Sequence, residues 1–166
     1  PNGQYAAVVI ENERDEDVTV AGVEGGLPQL PAGYLNIIDL IGAPDHWEVR
    51  KVDLTGLASY GSDDPEPEFV SINQNNIAAV TLQENNHIVF VNLVSGKLLQ
   101  NFNAGNVTLE GIDTVDNKLI DFTSTLADVA REPDAVAWLD NDRIITANEG
   151  DLFGGSRGFS VFNRSG

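Results

Sequence analysis

The sequence predicts an all-β protein built from a repeated antiparallel unit, and three observations carry that expectation. The apolar segments are short, rich in β-branched and aromatic residues, and interrupted by Gly, Pro, Asn or Asp, whereas a helix needs a longer unbroken 3.6-residue period. A pattern then recurs, in which one strand turns through polar residues into a second strand that ends in an amide and a carboxylate. It is plainest from Glu132 to Asp151: Glu132-Pro133-Asp134, the run Ala135–Leu139, the turn Asp140-Asn141-Asp142, the run Ile144–Ala147 and the ending Asn148-Glu149-Gly150-Asp151. Third, the pattern has copies elsewhere. Glu66-Pro67-Glu68 leads through Phe69–Ile72, Asn73–Asn76 and Ala78–Leu82 to Gln83-Glu84-Asn85-Asn86, and a clipped copy runs from Asn2-Gly3 through Ala6–Ile10 to Asn12-Glu13. Such self-similarity is the mark of a repeat architecture.

Taken in order, the first unit (about 1–56) offers the strand Ala6–Ile10, the charge run Glu13–Asp17, and a Gly- and Pro-rich surface loop in which Val18-Thr19-Val20 could add a small hairpin. The strands Tyr34–Leu40 and Trp47–Leu54 follow. The second unit (66–105) carries four strands, Glu68–Ile72, Ala78–Leu82, His87–Leu93 and Lys97–Phe102, with Ser95-Gly96 turning the last hairpin. Four consecutive antiparallel strands make one blade of a β-propeller. The connection from Ala104 to Arg131 is too patterned for disorder and predicts one short strand or a helical turn. The third unit (132–166) supplies its two quoted strands, a glycine loop and Phe159–Phe162. The fold class is therefore an all-β propeller fragment of about three four-stranded blades, part of one domain, completed by the remainder of the propeller or by a second chain.

Composition narrows the function classes. Of 166 residues, 26 are acidic and 9 basic, a formal charge of -17 that repels phosphate backbones and anionic lipid, so nucleic acid is not expected as a partner. The acidity suits a solvated extracellular surface, a divalent-cation site or a face for a basic partner. Cysteine is absent, which removes disulfides and thiolate metal sites. Methionine is absent too and the chain opens on Pro1, as expected of a processed or excised piece. No apolar run is long enough to cross a bilayer.

At EPEFVSI, AAVTLQENNHIVFVNL, REPDAVAW, TANEGD and GGSRGFSVF the chain resembles the secreted bacterial β-propellers of the choice-of-anchor I family. That family is similar to the mesenchyme-specific cell-surface glycoproteins, and some bacterial members are labelled alkaline phosphatases. The resemblance covers nearly all of this chain but only part of a family member. It implies an exported propeller, tethered to the cell surface, with no assigned chemistry. Where the family carries an Asp-rich, calcium-loop-like segment, this chain has Gly111-Ile112-Asp113-Thr114-Val115-Asp116-Asn117-Lys118, which holds fewer acids.

The residues themselves offer several candidate sites. In the register VVIENERD, AVTLQENN and IITANEGD, Glu13, Glu84 and Glu149 are equivalent, with Asn148 and Asp151 beside the last. If their strands lie near a propeller axis, these oxygens converge and suit Ca2+. The competing reading makes the glutamates strand caps, with Asn and Gln at work in turns. Asp113 and Asp116, with Glu110 and Asn117, form a second cation candidate whose spacing fits no EF-hand. Glu-Pro at 66–67 and 132–133 reads as a strand-entry signal, with Glu68 and Asp134 available to an acidic rim. Trp47 and Trp138 are assigned to the core or to packing between units. Gly154-Gly155-Ser156-Arg157-Gly158 matches G-x-S-x-G, but no histidine follows Ser156 and a β-like segment stands where the motif needs a helix, so a hairpin loop is favoured. The expected function is an exported or cell-surface binding scaffold with calcium as its candidate ligand. The alternative is a calcium-dependent phosphatase or phytase-like esterase, for which Arg131, Arg143 and Arg157 are the available cations.

Overall fold

The computed structural model describes residues 2–12, 18–20, 23–24, 28–150, 152 and 154–166. The first sheet is formed by β1 (Tyr5–Ile10), β4 (Tyr34–Asp39) and β5 (Glu48–Asp53), in that order and antiparallel. Between β1 and β4, β2 (Thr19–Val20) and β3 (Val23–Glu24) pair as the small hairpin that the sequence allowed. The only helical turn among the described residues is the 3-10 turn Pro44–His46.

The second sheet is a four-stranded meander of β6 (Pro67–Ile72), β7 (Ile77–Leu82), β8 (His87–Asn92) and β9 (Lys97–Asn103). Its turns follow from side-chain chemistry. Asn73 Oδ1 accepts from the N–H groups of Asn75 and Ile77, Asn76 takes a positive φ of 55°, and Gly96 at φ 68° closes the β8–β9 hairpin. The connection after β9 departs from expectation. It is a two-stranded antiparallel ribbon, β10 (Asn106–Ile112) and β11 (Ser124–Ala130), rather than one short strand or a helical turn. Register shifts at Val107/Leu109 and Glu110/Ile112, with Gly111 at φ 66°, break the alternation that would have announced it. The third sheet is β12 (Pro133–Trp138), β13 (Arg143–Asn148) and β14 (Gly158–Asn163). Among the described residues, four strands are thus present only in the second sheet; the first and third have three.

The sheets stack face to face, and the middle one is covered on both sides. Ala78, Val80, Leu82, Val89 and Val91 meet Leu35, Ile37 and Val52 of the first sheet, with Tyr5, Ala7 and Val9 packed around them. Ile77, Ala79, Ile88 and Phe90 meet Ile144, Val136, Trp138 and Phe162 of the third. That is why β7 reads IAAVTL without polar alternation: every residue of it is buried. Trp138 packs as expected, its ring 5.5 Å from Phe90 and its Nε1–H donating to Ser71 O. Trp47 does not. It is 42% exposed, because it leads into β5, the outer strand of its sheet.

Candidate functional site

The equivalence of the units is set by hydrogen bonds. Leu93 N–H donates to Asn76 O and Leu40 N–H to Gln4 O, which makes Gln4 the counterpart of Asn76 and aligns β1 with β7. At the other end, Gln83 N–H donates to Glu66 O and Glu149 N–H to Glu132 O. The counterpart of Glu149 is therefore Gln83, not Glu84. The expected alignment of Glu84 with Glu149 is off by one residue, and because side chains alternate with period two, the repeat gives the two carboxylates no reason to point to a common side. Glu149 is exposed and Glu84 half-buried. Glu13 and Asp151 lie outside the described residues.

Asn148 is committed within the protein. Its Oδ1 accepts from Thr146 Oγ1 at 3.1 Å, and its Nδ2 donates to Ser160 Oγ at 2.9 Å and Ser156 Oγ at 3.5 Å. Asp113, at the base of the exposed ribbon tip, accepts from Val115 N–H and Asp121 N–H. Its oxygens order the loop, and Asp116 sits exposed beyond it. Among the described residues no group of three or more His, Asp or Glu side chains could hold a metal ion. Ser156 is 1% exposed against Asn148 and precedes β14, so the G-x-S-x-G match is a buried loop hydroxyl. Of the arginines, Arg143 pairs with Asp140, and Arg131 donates to Ser160 Oγ and to the carbonyls of Ala104 and Asn106.

What sequence reasoning passed over is the seam between units. Asn85, fully buried, accepts Glu66 N–H at its Oδ1 and donates from Nδ2 to the carbonyls of Tyr60, Gly61 and Asp64. Asn86 makes a similar bond across to the next unit: its Oδ1 accepts Glu132 N–H, and its Nδ2 donates to Gly105 O and Asn103 Oδ1. Glu66 and Glu132 are buried, at 1% and 0% exposure, and occupy equivalent places. The Glu-Pro pairs do open strands, and the glutamate is also part of the seam. The available signal was the tandem Asn85-Asn86, one amide more than a turn needs. Asp134 lies over the same seam, where its carbonyl accepts Thr81 Oγ1 and burial pushes its carboxyl above the usual range.

Two grooves flank the seam between the second and third sheets at opposite ends of β7. One, about 440 Å³, is lined by Ile72, Asn73, Gln74, Trp138 and Asn141; the other, about 330 Å³, by Tyr60, Glu84, Asn103, Asn106 and Asp128. Both are amide-rich recesses.

Residues 45–154, about two thirds of the chain, match the pattern of the choice-of-anchor I domain. Neither a curated protein nor a solved structure matches the chain. The match spans β5 to β13 and so takes in the complete second sheet and both Glu-Pro seams; the chain belongs to the choice-of-anchor I domain family.

Proposed function

We propose that this chain is part of a β-propeller that is exported and works at the cell surface or outside the cell as a binding scaffold, without catalysis. The observation that carries the propeller reading is the unequal burial of equivalent faces. The middle sheet is covered on both sides, whereas the outward face of the third presents Phe159 and Val161, 74% and 50% exposed, at the positions that Ile88 and Phe90 hold fully buried in the second. A further unit on each side would bury both outer faces, and continued around an axis this makes a ring. Family membership and the charge of -17 support the surface role. The amide-rich grooves at the seams are where a scaffold would hold a ligand. A calcium contribution would rest on Glu13 and Asp151 with their neighbours. It is tested by calorimetry with calcium and with chelator, an unchanged melting temperature removing it.

The test of the main reading uses the complete gene product. Protease added to intact cells is expected to cleave the protein, and electron microscopy of the purified protein to reveal a closed ring of sheets. Protection until the cells are lysed would remove the surface role, and an open or linear array of sheets would remove the propeller.

A further inference from the structure

We propose that the groove between the β6–β7 and β12–β13 turns holds a neutral hexose, its ring against Trp138 and its hydroxyls on Gln74 and Asn141. The inference deepens the scaffold reading and rests on it for the presence of a ligand at the seam; it adds the chemical class of that ligand.

The site is built before a ligand arrives. Asn73, in the β6–β7 turn, holds that turn by accepting the N–H groups of Asn75 and Ile77 at Oδ1, and its Nδ2 donates across to Asn141 O at 3.4 Å. Asp140 holds the β12–β13 turn in the same way, its Oδ1 accepting the N–H groups of Asp142 and Arg143 at 2.8 Å. Both walls of the groove are thus fixed by bonds within the chain, which lowers the ordering cost of binding. Its volume of about 440 Å³ lies in the ~300–1,000 Å³ range of small-ligand sites.

The chemistry of the lining selects the ligand. Trp138 lies half-buried in the groove, with its Nε1–H already donated to Ser71 O and its ring 5.5 Å from Phe90, so it presents fixed aromatic surface and no free donor. Gln74 and Asn141, one from each turn, are the polar counterpart: among the described residues their side-chain amides make no hydrogen bond. An amide both donates and accepts, as a hydroxyl does, and an aromatic surface packs against the C–H face of a pyranose ring. Neither sign of charge is called for. The carboxylate at the groove, Asp140, is paired with Arg143 at 2.8 Å, and a chain of net charge -17 repels acidic sugars. An extended peptide is the competing occupant, but peptides add to strand edges, and this groove is lined by turns and strand ends. The other seam groove lacks the combination. Its Asn85 and Asn86 are committed to the seam, Asn106 Nδ2 donates to Asp128 O, and Glu84 and Asp128 bring charge.

The test is a titration of the full chain, followed by calorimetry and by NMR of the side-chain amides and the Trp138 indole N–H. The probes are glucose and mannose, their linear hexamers cellohexaose and mannohexaose, the acidic hexamer of galacturonic acid, and a Gly-Ser peptide. Saturable binding of at least one neutral sugar is expected, with shifts at Trp138, Gln74 and Asn141. Gln74→Ala combined with Asn141→Ala should weaken it by about tenfold or more through the loss of the amide hydrogen bonds, while Asn75→Ala leaves it unchanged. Should the double variant not fold, Gln74→Ala alone is read for a loss of about threefold. A hexamer that binds more tightly than its monomer identifies a glycan chain as the source, and equal affinity a single sugar; both uphold the hexose. No binding by any neutral sugar, binding unaffected by the variants, or preference for the acidic hexamer or the peptide overturns the proposal. Protease accessibility on intact cells is scored separately, so a surface protein that ignores these sugars removes this inference and leaves the scaffold reading standing.

Discussion

Asn85 shows how much a single side chain carries at the seam. Its amide satisfies one backbone donor and three carbonyls from a position with no access to water. Truncation would leave Glu66 N–H buried without its acceptor, and a buried polar group stripped of its partner costs about 1–3 kcal/mol. Asn85→Ala should therefore lower the unfolding free energy by roughly 3 kcal/mol, the upper end because several bonds are lost together. Urea denaturation measures it, and Asn75→Ala in the exposed turn is the neutral comparison. His87 sets a pH dependence. Burial holds its imidazole below the ordinary value, against the opposing hydrogen bond from Nε2 to Asn101 Oδ1. The unfolded chain then binds a proton at a higher pH than the folded one. Full stability is present above the unfolded pKa of about 6.5 and is lost as pH falls from there toward the folded value. Denaturant midpoints between pH 7 and pH 5 should fall, and His87→Gln should flatten that fall; an equal slope in the variant would assign the loss to the carboxylates.

At the scale of elements, the β10–β11 ribbon forms a sheet of its own that touches the third unit at its base, where Ser156 N–H donates to Ala130 O. Its two strands pair with each other, and its ends are brought together by Arg131 N–H donating to Gly105 O. The apolar residues of its tip, Leu119, Ile120 and Phe122, are exposed, so they add nothing to the stack. Replacing residues 107–129 by a two-residue Asn-Gly turn should leave thermal unfolding cooperative, since β10 and β11 pair only with each other among the described residues. Loss of the cooperative transition would mean that the ribbon braces the third sheet. The loop after β13 behaves oppositely. Gly150 has φ 66°, and a Cβ there would collide with the backbone of Gly155 and Ser156, while Ser156 N–H is bonded to Ala130 O. Gly150→Ala combines a left-handed conformation with a backbone clash and should cost at least about 2 kcal/mol.

For the molecule as a whole, the decisive feature is that equivalent residues live in different environments. Phe90 and Val161 hold the same position in successive sheets, as do Ile88 and Phe159, and only the first of each pair is covered. Phe90→Ala should cost about 3–5 kcal/mol, the range for removing a buried aromatic ring. Phe159→Ser should change stability by less than about 0.5 kcal/mol and reduce self-association, because it removes an exposed ring from an apolar face. Sedimentation velocity and urea titration on the same pair of variants check both halves. A large stability loss for Phe159→Ser would show that the outer face is already covered within the chain.

The sequence by itself determined the all-β class and the ranges of most strands of the three larger sheets, because these depend on alternation and turn chemistry within a few residues. It also carried the family, through segments such as AAVTLQENN and REPDAVAW. Only the tertiary structure decided the alignment of the units, which moved Glu149 from opposite Glu84 to opposite Gln83. The local pattern fits either register to within one residue, and the bonds that choose between them join separate strands. The buried glutamates and the tandem asparagines escaped for the same reason. The acceptor of Glu132 N–H is 46 residues away in Asn86, and no local period records a partner at that distance. Which apolar faces are covered was likewise decided by stacking, since Phe90 and Val161 sit in strands of the same kind and differ only in whether a neighbouring sheet lies over them.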